Sequence, residues 1–216
     1  FMKYSQSVCA LNCFESLKTI DQLVENGLEY IHIDFMDSFY TKNFGFSFEA
    51  ASYLIKRYQN VNFDAHLMVK NPTRIIKKLI ELGFKTIFLP ANEINHIEFM
   101  NIAKNYPDIY FGVMLETENN PEDFKQIIQC SAKILLMTID KIGGTGQMLN
   151  NNLFKKVKTI KKINPNIKIY SDGGLRYYNS MEFYKNNIDV AVGGSIIFSF
   201  ETIKEFLCWW KEKYDS

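Results

Sequence analysis

Seven consecutive residues, Ile31-His32-Ile33-Asp34-Phe35-Met36-Asp37, place an imidazole and two carboxylates in an otherwise apolar run. In a β-strand the side chains alternate, so His32, Asp34 and Met36 share one face while Ile31, Ile33 and Phe35 share the other. An imidazole and a carboxylate on one buried face need a partner, because an uncompensated buried charge is costly. A metal ion would supply one. A second apolar run, Phe63-Asp64-Ala65-His66-Leu67-Met68-Val69, again sets His and Met on one face, at His66 and Met68. A third, Ile167-Lys168-Ile169-Tyr170-Ser171-Asp172, ends in Asp172 ahead of Gly173-Gly174. Two His and two Asp from three segments make a donor set suited to one divalent ion per chain, Zn2+ first and otherwise Fe2+, Mn2+ or Co2+. The competing readings are core histidines satisfied by hydrogen bonds and a turn or capping role for Asp172.

These residues require elements that bring three distant segments together. Short apolar strands are expected near 4–10, 30–36, 62–68, 85–90, 109–115, 133–139, 167–172 and 189–194. Helical patterns lie between and after them, at 14–26, 47–58, 72–82, 94–105, 121–129, 150–163, 177–186 and 200–213. Leu17, Ile20, Leu23 and Val24 form one apolar face of the first helix. Gly27 and Gly83 follow helices as stops, and Pro72 and Pro121 sit where a helix start has no use for an N–H. Eight β-then-α units with no Pro/Gly/Ser-rich linker predict one (β/α)8 barrel over 2–216, Phe1 being left outside the fold reading. An open doubly wound sheet is the runner-up, weakened by the lack of G-x-G-x-x-G after the first strand.

Barrels of this kind carry their sites at the C-terminal strand ends. His32, Asp34, His66, Met68, Met137 and Asp172 all fall there. Glycines cluster after the last three strands, at Gly143-Gly144-Thr145-Gly146, Gly173-Gly174 and Gly193-Gly194-Ser195. Glycine lets backbone N–H groups approach an anion, and the loops after strands 7 and 8 commonly hold a phosphate. A metal at the barrel centre beside a phosphate cradle describes a site for a small sugar phosphate.

A net charge of +1 and the lack of a basic stripe argue against a nucleic-acid partner. The pairs Lys77-Lys78, Lys155-Lys156 and Lys161-Lys162 read as solvated helix faces. Cysteines 9, 13, 130 and 208 form no C-x-x-C pair, and nothing at the N-terminus reads as a signal peptide, so a cytoplasmic protein with reduced thiols is expected. No apolar run approaches the roughly 18 residues of a membrane span. Trp209 and Trp210 cannot both face one core stripe, which suggests a subunit contact and a homo-oligomer.

Along nearly its whole length the chain resembles the ribulose-phosphate 3-epimerase family. The resemblance rests on Ser7-Val8, on His32-Ile33-Asp34-Phe35-Met36-Asp37, and on His66-Leu67-Met68-Val69 with Asn71-Pro72. It continues through Met137-Thr138, Gly146-Gln147, Asp172-Gly173-Gly174 and Gly194-Ser195 with Ile197-Phe198. It implies a metal held by His32, Asp34, His66 and Asp172, with Asp34 and Asp172 also serving as the two acid/base groups. Ser7 would contact substrate, and Met36, Met68 and Met137 would cover the reacting carbons as deformable apolar shields. The phosphate would lie against Gly143, Gly144, Gly146, Gly173, Gly174, Gly194 and Ser195.

Several positions depart from the family pattern. Ser38 follows Asp37 where a Gly is usual, and Leu89-Pro90-Ala91-Asn92-Glu93 replaces a strand ending in His. Tyr170 stands where a Glu commonly precedes the last Asp, and Glu116-Thr117-Glu118-Asn119-Asn120-Pro121 replaces an N-P-x-T-P turn. The loop Asp140-Lys141-Ile142-Gly143-Gly144-Thr145-Gly146-Gln147 is one residue longer than usual and lacks a Pro. None touches the four ligands. The expected activity is 3-epimerisation of D-ribulose 5-phosphate to D-xylulose 5-phosphate through a cis-enediolate, as in the pentose phosphate pathway. The alternatives are a D-allulose 6-phosphate 3-epimerase, toward which Ser7-Val8-Cys9-Ala10-Leu11-Asn12 leans, or a non-catalytic sugar-phosphate-binding paralogue.

Overall fold

The computed structural model describes residues 1–215. Its eight strands are β1 (Lys3–Ser7), β2 (Tyr30–Met36), β3 (Asn62–Met68), β4 (Thr86–Pro90), β5 (Tyr110–Leu115), β6 (Lys133–Met137), β7 (Lys168–Asp172) and β8 (Val190–Gly193). They run parallel in chain order and close when β1 pairs with β8, which is the expected (β/α)8 barrel. The helices are α1 (Ser16–Glu25), α2 (Phe48–Arg57), α3 (Thr73–Leu82), α4 (His96–Asn105), α5 (Lys125–Cys130), α6 (Lys155–Ile163), α7 (Ser180–Lys185) and α8 (Ile203–Tyr214).

Strand alternation sorts the side chains into two cores. Ile31, Ile33, Phe35, Ala65 and Leu67 face outward and join the large apolar layer between strands and helices. Each fully buried Leu, Ile or Phe contributes roughly 1.5–3 kcal/mol there. Met68, Phe88, Met114, Leu135, Met137, Tyr170 and Val190 face inward with Ile139 and form a smaller cluster within the barrel. Local signals fix the helix starts. Ser47 caps α2 by accepting from Ala50 N–H, Asn95 caps α4, and Thr202 forms a reciprocal capping box with Glu205 on α8.

The sequence-based boundaries differ from the structure at several element ends, the clearest in β1, β6, α5 and α6. β1 stops at Ser7 rather than near 10, because its last partners are His32 and Gly193 and the chain turns as a 3-10 segment at Val8–Ala10. β6 stops at Met137 rather than 139, although Thr138 N–H still donates to Asp172 O at 2.9 Å. α5 and α6 each follow a 3-10 turn, at Pro121–Phe124 and Asn151–Phe154, since Asn120 and Asn150 accept from N–H groups two residues ahead and tighten the chain.

Several surface readings also change. Lys156 and Lys161 are not simply solvated: the Lys156 ammonium donates to the carbonyls of Glu116 and Thr117 at 2.7 Å each, and that of Lys161 to Ile167 O at 2.7 Å. Trp210 is buried and its Nε1–H donates to Met2 O at 2.9 Å, while Met2 N–H donates to Tyr214 O at 2.8 Å, pinning α8 to the start of β1. Trp209 is half-buried against the same core and also makes ring contacts with Phe200 and Tyr177. Among the described residues no helix is long and apolar enough to cross a membrane.

Candidate active site

The parallel register of β2 and β3 builds the site in layers. His32 lies opposite Asp64, Asp34 opposite His66, and Met36 opposite Met68. Across the barrel, β6 and β7 set Met137 opposite Asp172. The inward faces therefore present, from the floor upward, a His–Asp layer, a second Asp–His layer and a methionine layer at the mouth.

The expected ligand set meets at one point. Potential ligand atoms of His32, Asp34, His66 and Asp172 all lie within 4.8 Å of one another. His32 Nε2 is 3.2 Å from Asp34 Oδ1 and 3.7 Å from Asp172 Oδ2. His66 Nδ1 is 2.9 Å from Asp34 Oδ1, 3.5 Å from Asp172 Oδ2 and 3.2 Å from His32 Nε2. Ligands about 2.0–2.2 Å from a tetrahedral metal are about 3.4 Å apart, so the observed separations bracket the required edge. Two ring nitrogens facing each other also conflict unless one is protonated, and a shared cation removes that conflict. The residues fit a divalent ion.

The electrostatics of the metal-free cluster point the same way. Burial opposes charge on His32, but Asp64, Asp34 and Asp172 outweigh it and raise its pKa well above the ordinary imidazole range. Burial likewise opposes charge on His66, and Asp172 and Asp34 raise its pKa. Burial would raise Asp34 and Asp172, yet the two imidazoles hold both carboxyls below their usual range. Imidazoles that favour a proton and carboxylates that favour losing one thus share a small volume, and an ion entering it displaces imidazole protons.

Sequence reasoning gave Asp64 no role here, but its Oδ1 forms a short hydrogen bond with His32 Nδ1. That bond fixes the ring so that Nε2 faces the cluster, the arrangement by which a carboxylate orients a metal-ligating histidine. The available signal was the two-residue spacing to His66, which puts Asp64 on the inward face. His66 Nε2 is buried with no partner among the described residues, so this ring meets the cluster through Nδ1 alone.

Above the cluster opens a cavity of about 590 Å3. Ser7, Met36, Met68 and Met137 line it, as do Asp34 and Asp172 and every expected phosphate residue: Gly143, Gly144, Gly146, Gly173, Gly174, Gly194 and Ser195. Ser7 Oγ donates to Asp34 Oδ2 at 3.3 Å, leaving Asp34 Oδ1 turned to the imidazoles. Met68 and Met137 are buried and Met36 is half-buried against them, so the wall over the cluster is apolar. Thr138 Oγ1 donates to Gly173 O at 2.7 Å and fixes the turn after β7.

The glycines differ in why they are glycine. Gly174 has φ +78° and an added Cβ would meet Leu149 N at 2.6 Å, so packing alone demands it. Gly194 has ordinary φ, but its Cβ would lie 2.1 Å from Ala10 Cβ. Gly144 has neither constraint, and an added Cβ would meet only Gln147 Nε2 at 3.5 Å. Open space beside a backbone N–H on the cavity wall leaves room for a ligand.

Departures from the family pattern rebuild the surroundings. Asp37 accepts N–H bonds from Phe39, Tyr40 and Lys70, so the last acid of the β2 run organises a loop. Tyr40 OH donates to Glu116 in a short hydrogen bond and packs over the interior cluster, closing the β4–β5 side where Leu89–Glu93 replaces a His. Tyr170 packs on Phe88 with ring centroids 5.1 Å apart and fills the floor where a Glu is common. Gln147 side-chain oxygen accepts from Lys141 N–H while its Nε2 returns to Lys141 O, clasping the lengthened loop into a ring. Arg176, also unanticipated, lines the cavity from the loop after β7.

Comparison with known proteins accords with this geometry. A sequence model described as the ribulose-phosphate 3 epimerase family matches residues 3–198. The chain is 27% identical over 190 residues to the ribulose-phosphate 3-epimerase of Aquifex aeolicus, covering 86% of this chain and 84% of that one. It is 27% identical over 201 residues to the Helicobacter pylori protein of the same name, covering 91% of each. Among solved structures, KGPDC from Streptococcus mutans superimposes with a TM-score of 0.72 at 12% identity, covering 99% of this chain and 97% of that chain. Phosphoribosyl anthranilate isomerase from Thermus thermophilus gives 0.71 at 11% identity, covering 98% and 99%. Those two likenesses concern the fold alone.

Proposed function

We propose that this chain, which belongs to the ribulose-phosphate 3-epimerase family, interconverts D-ribulose 5-phosphate and D-xylulose 5-phosphate. The observation that carries this reading is the convergence of His32, Asp34, His66 and Asp172 within 4.8 Å beneath a cavity walled by three methionines and three glycine loops. The Aquifex aeolicus and Helicobacter pylori relatives, both named ribulose-phosphate 3-epimerase, favour the pentulose phosphate over a hexulose phosphate.

His32, Asp34, His66 and Asp172 would hold one divalent ion, Zn2+ first. When bound, that ion supplies Lewis-acid stabilisation for negative charge developing on the sugar's 2- and 3-oxygens. Inversion at C3 requires proton removal from one face and delivery to the other, so a single acid could exchange the proton but not invert the carbon. Asp34 from β2 and Asp172 from β7 are the two carboxylates in the cavity wall and take these opposite roles. Both are held ionised by the imidazoles, and hence ready to accept a proton. Ser7, which donates to Asp34 Oδ2, would orient that carboxylate and touch the sugar. Met36, Met68 and Met137 exclude water from the planar intermediate without offering it a competing proton. Backbone N–H groups of Gly144, Gly146, Gly174, Gly194 and Ser195 receive the phosphate, with Gly143 and Gly173 shaping the same loops.

Self-association is part of the proposal, supported by half-exposed Tyr177, whose ring meets Trp209 and Phe200 beside α8. The test of the activity is to strip the protein of metal, reload it with Zn2+, Fe2+, Mn2+ or Co2+, and assay D-ribulose 5-phosphate beside D-allulose 6-phosphate. Conversion of the pentulose phosphate with kcat/KM at least ~10-fold above the hexulose phosphate is expected, about 1.4 kcal/mol of discrimination. The reverse preference reassigns the substrate, and no turnover of either with any metal refutes the reading.

A further inference from the structure

Of the side chains lining the cavity, Arg176 is the one carrying a permanent positive charge. Its guanidinium is held between two loops: Nη1 donates to Leu175 O at 2.8 Å and Nη2 to Gln147 O at 3.4 Å. Its backbone is fixed as well. Arg176 N–H donates to Asn179 Oδ1 at 2.7 Å, and Asn179 Nδ2 returns to Gly174 O at 2.8 Å. The head group therefore sits where the lengthened 140–147 loop, clasped by Gln147, meets the Gly173-Gly174 turn.

A guanidinium has five N–H donors, and two are committed to carbonyls, which leaves three. Among the described residues no carboxylate pairs with Arg176. A neutral Gln could make two bonds to carbonyls, so bracing the loops does not explain a charge. A fixed cation at the glycine-loop end of the cavity stands beside the loops where a phosphate would lie.

We propose that Arg176 is a substrate-binding residue that contacts the phosphate and sets the preference for a phosphorylated ketose over the free sugar. The inference rests on the ketose-phosphate reading above. It assigns phosphate recognition to a side chain as well as to the backbone cradle, and it links the longer 140–147 loop to that contact through the Gln147 carbonyl.

The test compares wild type, Arg176→Gln and Arg176→Lys, each metal-loaded and checked for native circular dichroism. In wild type, kcat/KM for D-ribulose 5-phosphate is divided by kcat/KM for D-ribulose. Arg176→Gln should lower that ratio ~10- to 100-fold and raise the inhibition constant of inorganic phosphate by a similar factor, as loss of a charge-assisted hydrogen bond does. Arg176→Lys should recover part of both. A ratio within 3-fold of wild type, including an equal fall on both sugars, overturns the proposal and leaves Arg176 a loop brace. Should wild type epimerise neither sugar, the functional reading has failed on its own. Arg176 is then judged by direct binding of inorganic phosphate, where equal affinity in wild type and Arg176→Gln overturns it and weaker binding in the variant supports it. The chain has only three arginines, Arg57, Arg74 and Arg176. Titrating unaltered protein with inorganic phosphate should thus shift one resolved Arg Nε–H resonance, and no shift counts against the contact even if both variants misfold.

Discussion

Replacing Asp64 by Asn removes a charge from the layer beneath the metal cluster while leaving its shape nearly unchanged. Asp64 and His32 are both essentially inaccessible to solvent, and Asp64 Oδ1 is bonded to His32 Nδ1. An Asn carbonyl can still accept that N–H, so the ring should keep its orientation with Nε2 toward Asp34 and Asp172. What is lost is the negative charge that makes Nε2 a better donor to a cation. Removing such an outer partner typically weakens metal binding 10- to 100-fold, roughly 1.4–2.7 kcal/mol. Asp64→Leu goes further, because it strands a buried N–H and should also destabilise the metal-free fold by about 1–3 kcal/mol. Chelator competition for Zn2+ at fixed pH reads the first effect, and thermal unfolding of metal-free protein reads the second. Zn2+ affinity within 2-fold of wild type in Asp64→Asn would refute the claim that Asp64 tunes His32.

Other consequences concern pH, packing and ligation. His32 and His66 have raised pKa values in the fold, so their contribution to metal-free stability is complete below about pH 6.5 and is lost as pH rises through the folded values. Asp34 and Asp172 have lowered values, so their contribution is present above about pH 4 and is lost on further acidification. The Tm of metal-free wild type minus that of His66→Gln should therefore shrink between pH 7 and 9, whereas the gain in Tm on adding Zn2+ should grow; a difference that widens over that range contradicts the charge assignment. Gly194→Ala drives a methyl to 2.1 Å from Ala10 Cβ and should cost about 1–3 kcal/mol, with Ala10→Gly restoring most of it in the double variant. An additive double variant would show that the two positions do not meet. His66→Ala should abolish tight Zn2+ binding while the metal-free far-UV spectrum stays native, and retained stoichiometric binding would remove His66 from the ligand set.

Much of this architecture is legible in the chain because strand periodicity is strict. The two-residue spacing of His32, Asp34 and Met36, and of His66 and Met68, assigns each to the inner face, and Ile31, Ile33 and Phe35 to the outer. Register is another matter. That Asp64 meets His32 is a relation between β2 and β3, fixed by how two strands slide, and nothing in either segment alone states it. Arg176 was unreadable for a similar reason: after a glycine pair it looks like any loop residue until the 140–147 loop is seen to lie beside it. The early end of β1 follows from its pairing running out at His32 and Gly193, again a relation between distant segments. Lys156, read as one of a solvated pair, binds carbonyls forty residues away that only the closed barrel brings near.

The opposed roles of Asp34 and Asp172 are the centre of the account, and proton exchange in deuterated water tests them most directly. Metal-loaded wild type, Asp34→Asn and Asp172→Asn are incubated with D-ribulose 5-phosphate, and NMR follows both deuterium at C3 and formation of D-xylulose 5-phosphate. Wild type should yield the epimer carrying deuterium at C3. Each variant that still binds metal should lose epimerisation by roughly 10²-fold or more, with any residual deuterium uptake confined to one epimer. Epimer formation near the wild-type rate in either metal-loaded variant would contradict the two-carboxylate mechanism.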